Sequence, residues 1–197
     1  MLNFHFMESD KLRTVSISYK NLKRELLLSS NQVNTLHAFL RDIMKNDILI
    51  INTNIGLDIY YYAPISCDEI ILNAFLLIAN SNQKNRNDYF VKVLNSDVEI
   101  KLATNYFFNK LLKNPLLLKS YMKSLSYQLN SKNKSNNLII NNLIALWKDI
   151  ILNMDDDLGV QKIIPYLVHF QDHNLNDENK LIFKKLINEA LSVSRIN

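Results

Sequence analysis

Apolar residues between Lys11 and Tyr19 alternate loosely with polar ones, at Leu12, Val15, Ile17 and Tyr19, and this spacing predicts a strand. Ser29-Ser30 then offers a helix N-cap ahead of Val33, Leu36, Phe39, Leu40 and Ile43-Met44, one face of an amphipathic helix ending near Asn46. The runs Ile48 to Ile51 and Leu57 to Tyr62 flank the turn Asn52-Thr53-Asn54-Ile55-Gly56 and predict a β-hairpin, which Pro64 stops. Ser66, with Glu69 three residues on, has capping-box spacing for a helix through Ile70-Ile71, Ala74-Phe75 and Ile78. After a polar loop, Tyr89 to Leu94 and Val98 to Leu102 alternate around Asn95-Ser96-Asp97. A second hairpin is the preferred reading there, and a continuous helix is its rival.

From Thr104 onward the period is helical. One helix covers Tyr106 to Lys113 and ends before Pro115, and another runs from Leu116 to about Leu129 with Leu118, Tyr121, Met122, Leu125 and Leu129 on one face. A polar linker, 131–137, leads to the most regular apolar stripe of the chain: Ile140, Leu143, Ile144, Trp147, Ile150-Ile151 and Met154. Asp155-Asp156-Asp157 and Gly159 end it, and a last helix is expected from Asp177 to Val193. The fold class that follows is α+β: a small antiparallel sheet of hairpins with helices in the first half, and a helical second half. The organisation expected is an α+β domain over 1–103 and a helical region over 104–197 packed on it, or one continuous domain.

Composition narrows the classes. With 48% hydrophobic and 21% charged residues among 197, the chain suits a globular protein rather than a disordered or collagen-like one. Cys67 is the only cysteine, so no intramolecular disulfide is expected. The first residues carry no basic and apolar leader, and no apolar run is long enough to span a bilayer. A cytoplasmic protein is the expectation, with non-Sec export left open. Asn occurs 28 times and Lys outnumbers Arg 18 to 5, a bias that suggests AT-rich coding DNA from a low-GC bacterium, a virus or a protist.

Charge supplies the most distinctive pattern. Between Glu99 and Asp149 there is no acid but there are eight Lys, interleaved with Tyr106, Phe107, Phe108, Tyr121, Tyr127 and Trp147. Lys110, Lys113, Lys119, Lys123, Lys132 and Lys134 form the candidate basic patch, in part at helical neighbour spacing, and such a surface attracts phosphates or an acidic partner. The plainer account is the solvated face of two helices in a Lys-rich coding background. Residues 30–62, a helix and then a hairpin, have the layout of a winged helix with Gln32, Asn34, His37, Arg41 and Lys45 toward a groove. Residues 1–65 hold seven Lys/Arg against six Asp/Glu, which is weak for a duplex binder.

Catalytic and metal signals are thin. His169 and His173 with Asp172, and Asp155-Asp156-Asp157, have metal-compatible spacing but read more simply as helix-end residues. Asp97-Val98-Glu99-Ile100-Lys101 contains, on the predicted strand, an Asp/Glu-x-Lys arrangement that some metal-dependent nucleases use, with Asp88 as the only nearby further acid, and a chance match is the simpler reading. Cys67 behind a capping Ser would have a lowered thiol pKa, yet no partner can be assigned, so a partly buried structural Cys is the better reading. With Gly56 and Gly159 as the only glycines, phosphate-loop and dinucleotide fingerprints are excluded. No cofactor, resident metal or catalytic residue is expected.

The strand end Ile59-Tyr60-Tyr61-Tyr62-Ala63-Pro64, the following Ile71 to Asn80 segment and the run Tyr89 to Ala103 carry a resemblance. In this layout residues 30–130 resemble the effector-binding (class I) chaperones of type III secretion, although this chain has a net positive charge where those chaperones are usually acidic. The resemblance implies a homodimer that wraps a non-globular partner segment and has no enzymatic activity. The function expected is therefore a non-catalytic protein-binding adaptor, chaperone or regulatory protein. Its expected interface is the stripe Ile140, Leu143, Ile144, Trp147 and Ile151, with Trp147 as anchor, and that stripe either packs centrally or pairs with a second copy. The alternative is a nucleic-acid-binding regulator using the Lys-rich stretch 100–148 or the segment 30–62.

Overall fold

The computed structural model describes residues 10–21, 25–79, 86–114 and 138–152, together with helical positions between 116 and 128 (116–118, 120, 121, 124, 125 and 128). In chain order the elements are β1 (Lys11–Tyr19), α1 (Ser30–Met44), β2 (Ile48–Asn52), β3 (Leu57–Ala63), α2 (Asp68–Ala79), β4 (Tyr89–Leu94), α3 (Asp97–Leu112) and α4 (Leu138–Leu152). The four strands form one antiparallel sheet in the order β2-β3-β1-β4, which is the α+β arrangement that the sequence predicts. Among the described residues no helix is long and apolar enough to cross a membrane.

Local chemistry explains the elements. Ser29 caps α1: its hydroxyl accepts from the Gln32 N–H, and the Gln32 side chain accepts from the Ser29 N–H at 2.9 Å, a reciprocal pair that satisfies two otherwise orphan donors. Lys45 closes the helix in the left-handed conformation, with φ 56°. Gly56 ends the β2–β3 turn for reasons of space. Its φ is not positive, but a Cβ there would stand 2.6 Å from the Ile17 carbonyl oxygen, closer than real contacts allow.

Two expectations at helix starts need correction. Ser66 does not cap α2; its hydroxyl donates to the Asp68 carboxylate at 2.6 Å, and the first helical bond runs from the Ile71 N–H to the Cys67 carbonyl. The second hairpin is half right, since Tyr89–Leu94 is strand β4 but α3 begins at Asp97 and runs unbroken through Leu112. Ser96 decides it: its hydroxyl accepts from the Glu99 N–H, which caps the helix, and the Glu99 carboxylate accepts from the N–H of the preceding Asn95 at 2.6 Å. That N-cap outweighs the short β-like alternation that follows.

Both faces of the sheet are covered. On one, Val15, Ile17, Ile59 and Tyr61 pack with Leu36 and Leu40 of α1 and Phe75 of α2, where Tyr89 also meets Phe75 edge-on at 5.1 Å. On the other, Leu12, Leu49, Ile51 and Tyr60 pack with Ile100, Phe108 and Leu111 of α3, with Leu118, Tyr121 and Leu125, and with α4. This second core joins residues from both sides of residue 103.

Candidate functional site

The second face of the sheet has an unusual floor. Alternate residues of a strand share a face, so Thr14, Ser16 and Ser18 of β1 lie on the same side as Leu12, and the register sets Ser16 opposite Asp58 and Thr14 opposite Tyr60. Helices cover this polar row without filling the space above it. A cavity of about 440 Å³ remains, floored by Thr14, Ser16 and Asp58 and walled by Phe107 and Phe108 of α3, by Tyr121 and by Trp147 of α4. Phe90, Lys92 and Tyr106, all exposed, belong to its lining and mark its open side between β4 and α3.

Asp58 is the chemical centre of the cavity. Its carboxylate accepts a 2.6 Å hydrogen bond from the Ser16 hydroxyl, and among the described residues no cation pairs with it. The side chain is half-buried and lines the cavity. Burial raises its pKa above the ordinary 3.8, and the Ser16 bond pulls it part of the way back. Burial likewise pushes the Tyr60 and Tyr121 phenols up, with the Asp58 charge adding to the shift, so both hydroxyls stay neutral. Thr14, only 1% exposed, has a buried Oγ1 without a hydrogen-bond partner.

A sign follows for stability. The folded state holds the Asp58 proton to higher pH than the unfolded chain does, so this group removes stability as pH rises from its ordinary pKa through its raised one. Asp58→Asn is expected to raise the urea midpoint at neutral pH and to leave it unchanged below pH about 3, where both states are protonated. Equal midpoint shifts at the two pH values would contradict the assignment.

The expected site residues are distributed differently. Ile140, Leu143, Ile144 and Trp147 lie together, but inside the chain's own core, with Trp147 2% exposed and its ring 6.3 Å from that of Phe108. Of the two fates open to this stripe, packing centrally is the one observed for these four; the side chain of Ile151 lies outside the described residues. Of the basic patch, Lys110 on the last turn of α3 and Lys113, which caps its end, are exposed, whereas Lys119, Lys123, Lys132 and Lys134 lie outside the described residues. Lys101 is paired with Asp149, the acid that ends the acid-free stretch.

In the winged-helix segment, Gln32 is committed to the α1 cap and to the Ile78 carbonyl, and the His37 ring donates from Nε2 to the Ile48 carbonyl at 3.1 Å. Asn34, Arg41 and Lys45 are exposed. The hairpin is no free wing, because β3 pairs with β1 from Leu57 to Ala63. The nuclease-like pattern Asp97 to Lys101 sits on the first turns of α3 rather than on a strand. Burial raises the Cys67 thiol above its ordinary 9.0, Arg13 partly offsets this and Asp68 adds to it, so the expected lowering at a helix start does not occur. Among the described residues no three His, Cys, Asp or Glu side chains converge on a metal position; His169, Asp172, His173 and Asp155 to Asp157 lie outside them.

The sequence reading missed one exposed feature. Val98, Leu102 and Tyr106 form an i, i+4, i+8 row on α3, exposed by 68%, 65% and 71%, and Phe90 on β4 is exposed by 58%. A helix assignment for 97–112 would have revealed the row. Comparison with protein-family models, with curated proteins and with solved structures finds no match.

Proposed function

We propose that this chain is a non-catalytic protein-binding module that pairs through the outer edge of β4, with a second copy of itself as the partner its residues fit best. The observation that carries the reading is the contrast between the two edges of one sheet. The β2 edge is closed by side chains: His37 donates to the Ile48 carbonyl, and the Gln128 amide both accepts from the Asn52 N–H at 2.8 Å and donates to the Asn52 carbonyl. Among the described residues, nothing pairs with the outer backbone edge of Phe90 to Val93. An uncovered edge is a template for another strand, and proteins normally blunt it. Here the edge carries exposed Phe90, which shares the cavity lining with exposed Tyr106 of α3.

The register favours self-pairing. Antiparallel β4 strands related by a twofold at Val91 set Phe90 opposite Lys92 twice, an aromatic face against a lysine stem. A twofold at Lys92 would oppose two like charges. The layout resemblance to secretion chaperones, which implies a homodimer, points the same way.

Light scattering tests this. Wild type is expected as a dimer, Phe90→Lys as a monomer because Lys then faces Lys, and the double variant Phe90→Lys, Lys92→Glu as a dimer again. A monomeric wild type, or a Phe90→Lys variant that stays dimeric, would overturn the reading.

A further inference from the structure

We propose that the cavity between the polar row of β1 and β3 and the aromatic residues of α3 and α4 binds a small organic amine, its ammonium at Asp58. Two observations on this cavity converge. A buried charge is normally paired, yet the only hydrogen bond shown for the Asp58 carboxylate is the one from Ser16, and among the described residues it has no cation. Thr14 adds a buried Oγ1 with no partner on the same face, and a buried hydroxyl left unmet is costly. An ammonium group carries three donors and a positive charge, which suits a carboxylate and a hydroxyl oxygen on neighbouring strands.

The walls select the rest of the ligand. Phe107, Phe108, Tyr121 and Trp147 present aromatic surface, which takes an apolar body and also attracts a cation at its ring faces. A cavity of about 440 Å³ is of a size that holds a small ligand. A metal ion is the poorer occupant, because among the described residues no second carboxylate, His or Cys completes a ligand set there. Lys92 is the one cation in the lining, exposed at the rim, and the register interposes Ser16 between it and Asp58. Lys92 therefore leaves the carboxylate unpaired. The inference does not rest on β4 pairing, although Phe90 and Lys92 belong both to the rim of the cavity and to that edge.

Trp147 is the only tryptophan and lines the cavity, so its emission reports occupancy directly. Phenethylamine, phenethyl alcohol and phenylacetate, which share one ring and differ in the charge of the head group, are titrated into the full chain at neutral pH. The amine is expected to give saturable binding about tenfold tighter than the alcohol, with phenylacetate weakest. In Asp58→Asn the amine should fall to the level of the alcohol, with the circular dichroism unchanged to show that the fold is kept. Binding of the alcohol as tight as that of the amine, or an amine preference that survives Asp58→Asn, would overturn the role of Asp58. No response to any of the three probes would overturn the cavity as a ligand site. Each of these results is distinguishable from failure of β4 pairing, which light scattering reads separately.

Discussion

Trp147→Ala is expected to lower the unfolding free energy by about 3–5 kcal/mol, the range for truncating a large buried aromatic. The residue is 2% exposed and belongs to the cluster formed by Ile139, Ile140, Leu143, Ile144 and Ile150 of α4 with Ile100, Phe108 and Leu111 of α3. Packing density near that of a crystal means the neighbours cannot collapse fully into the space left, so a cavity term adds to the lost burial. It would also enlarge the existing cavity, of which Trp147 is already a wall. Urea unfolding followed by far-ultraviolet circular dichroism measures the loss. Protein concentration separates core from interface. A core residue costs the same at every concentration, whereas the anchor of a dimer contact would cost an amount that depends on it. A wild-type midpoint would mean that the indole is not part of the core, and a loss that disappears on dilution would place it between chains rather than within one.

That prediction turns on a point which the sequence left open. The stripe along α4 is legible at once from its period, but a period defines a face and not what the face meets. Width alone could not distinguish packing within the chain from packing on a second copy. Elements with purely local signals were legible: the alternation of β1, the Ser29 cap of α1, and the turn before Gly56 each act within a few residues. At 89–103 two local signals conflicted, and the Ser96 to Glu99 spacing was the one to weigh, since a capping hydroxyl satisfies a helix donor that alternation cannot. The cavity was hidden for a non-local reason. Thr14, Ser16, Ser18 and Asp58 read as the wet side of a half-exposed sheet, and only the return of α3 and α4 over that side turns a solvent face into a lined hollow. A clue existed in the surplus of apolar helical stripes after residue 104, which require a second sheet face to cover.

Arg13→Ala is expected to cost about 3 kcal/mol, on the basis of the charge-assisted hydrogen bonds it removes. The Arg13 side chain leaves β1 on the side opposite the cavity and is 8% exposed, and there its guanidinium meets three acceptors. Nε donates to the Ala63 carbonyl at 3.0 Å, Nη2 to the Pro64 carbonyl at 2.6 Å and Nη1 to the Asn95 side-chain oxygen at 2.7 Å. One residue thus ties β1 to the turn after β3 and to the turn between β4 and α3, junctions that lie 50 to 82 residues away in sequence. No carboxylate is needed, because three neutral oxygens satisfy the fork. Removing it strands those oxygens in a place water reaches poorly, and leaving acceptors unmet costs more than the net value of each bond. Arg13→Lys should recover less than half of the loss, since a single ammonium on a flexible stem cannot span three acceptors spaced for a planar fork. Urea midpoints for the two variants decide it: equal stability of Arg13→Lys and wild type would mean that charge alone matters, and a loss below about 0.5 kcal/mol for Arg13→Ala, the range of ordinary surface changes, would mean that the two junctions hold without it.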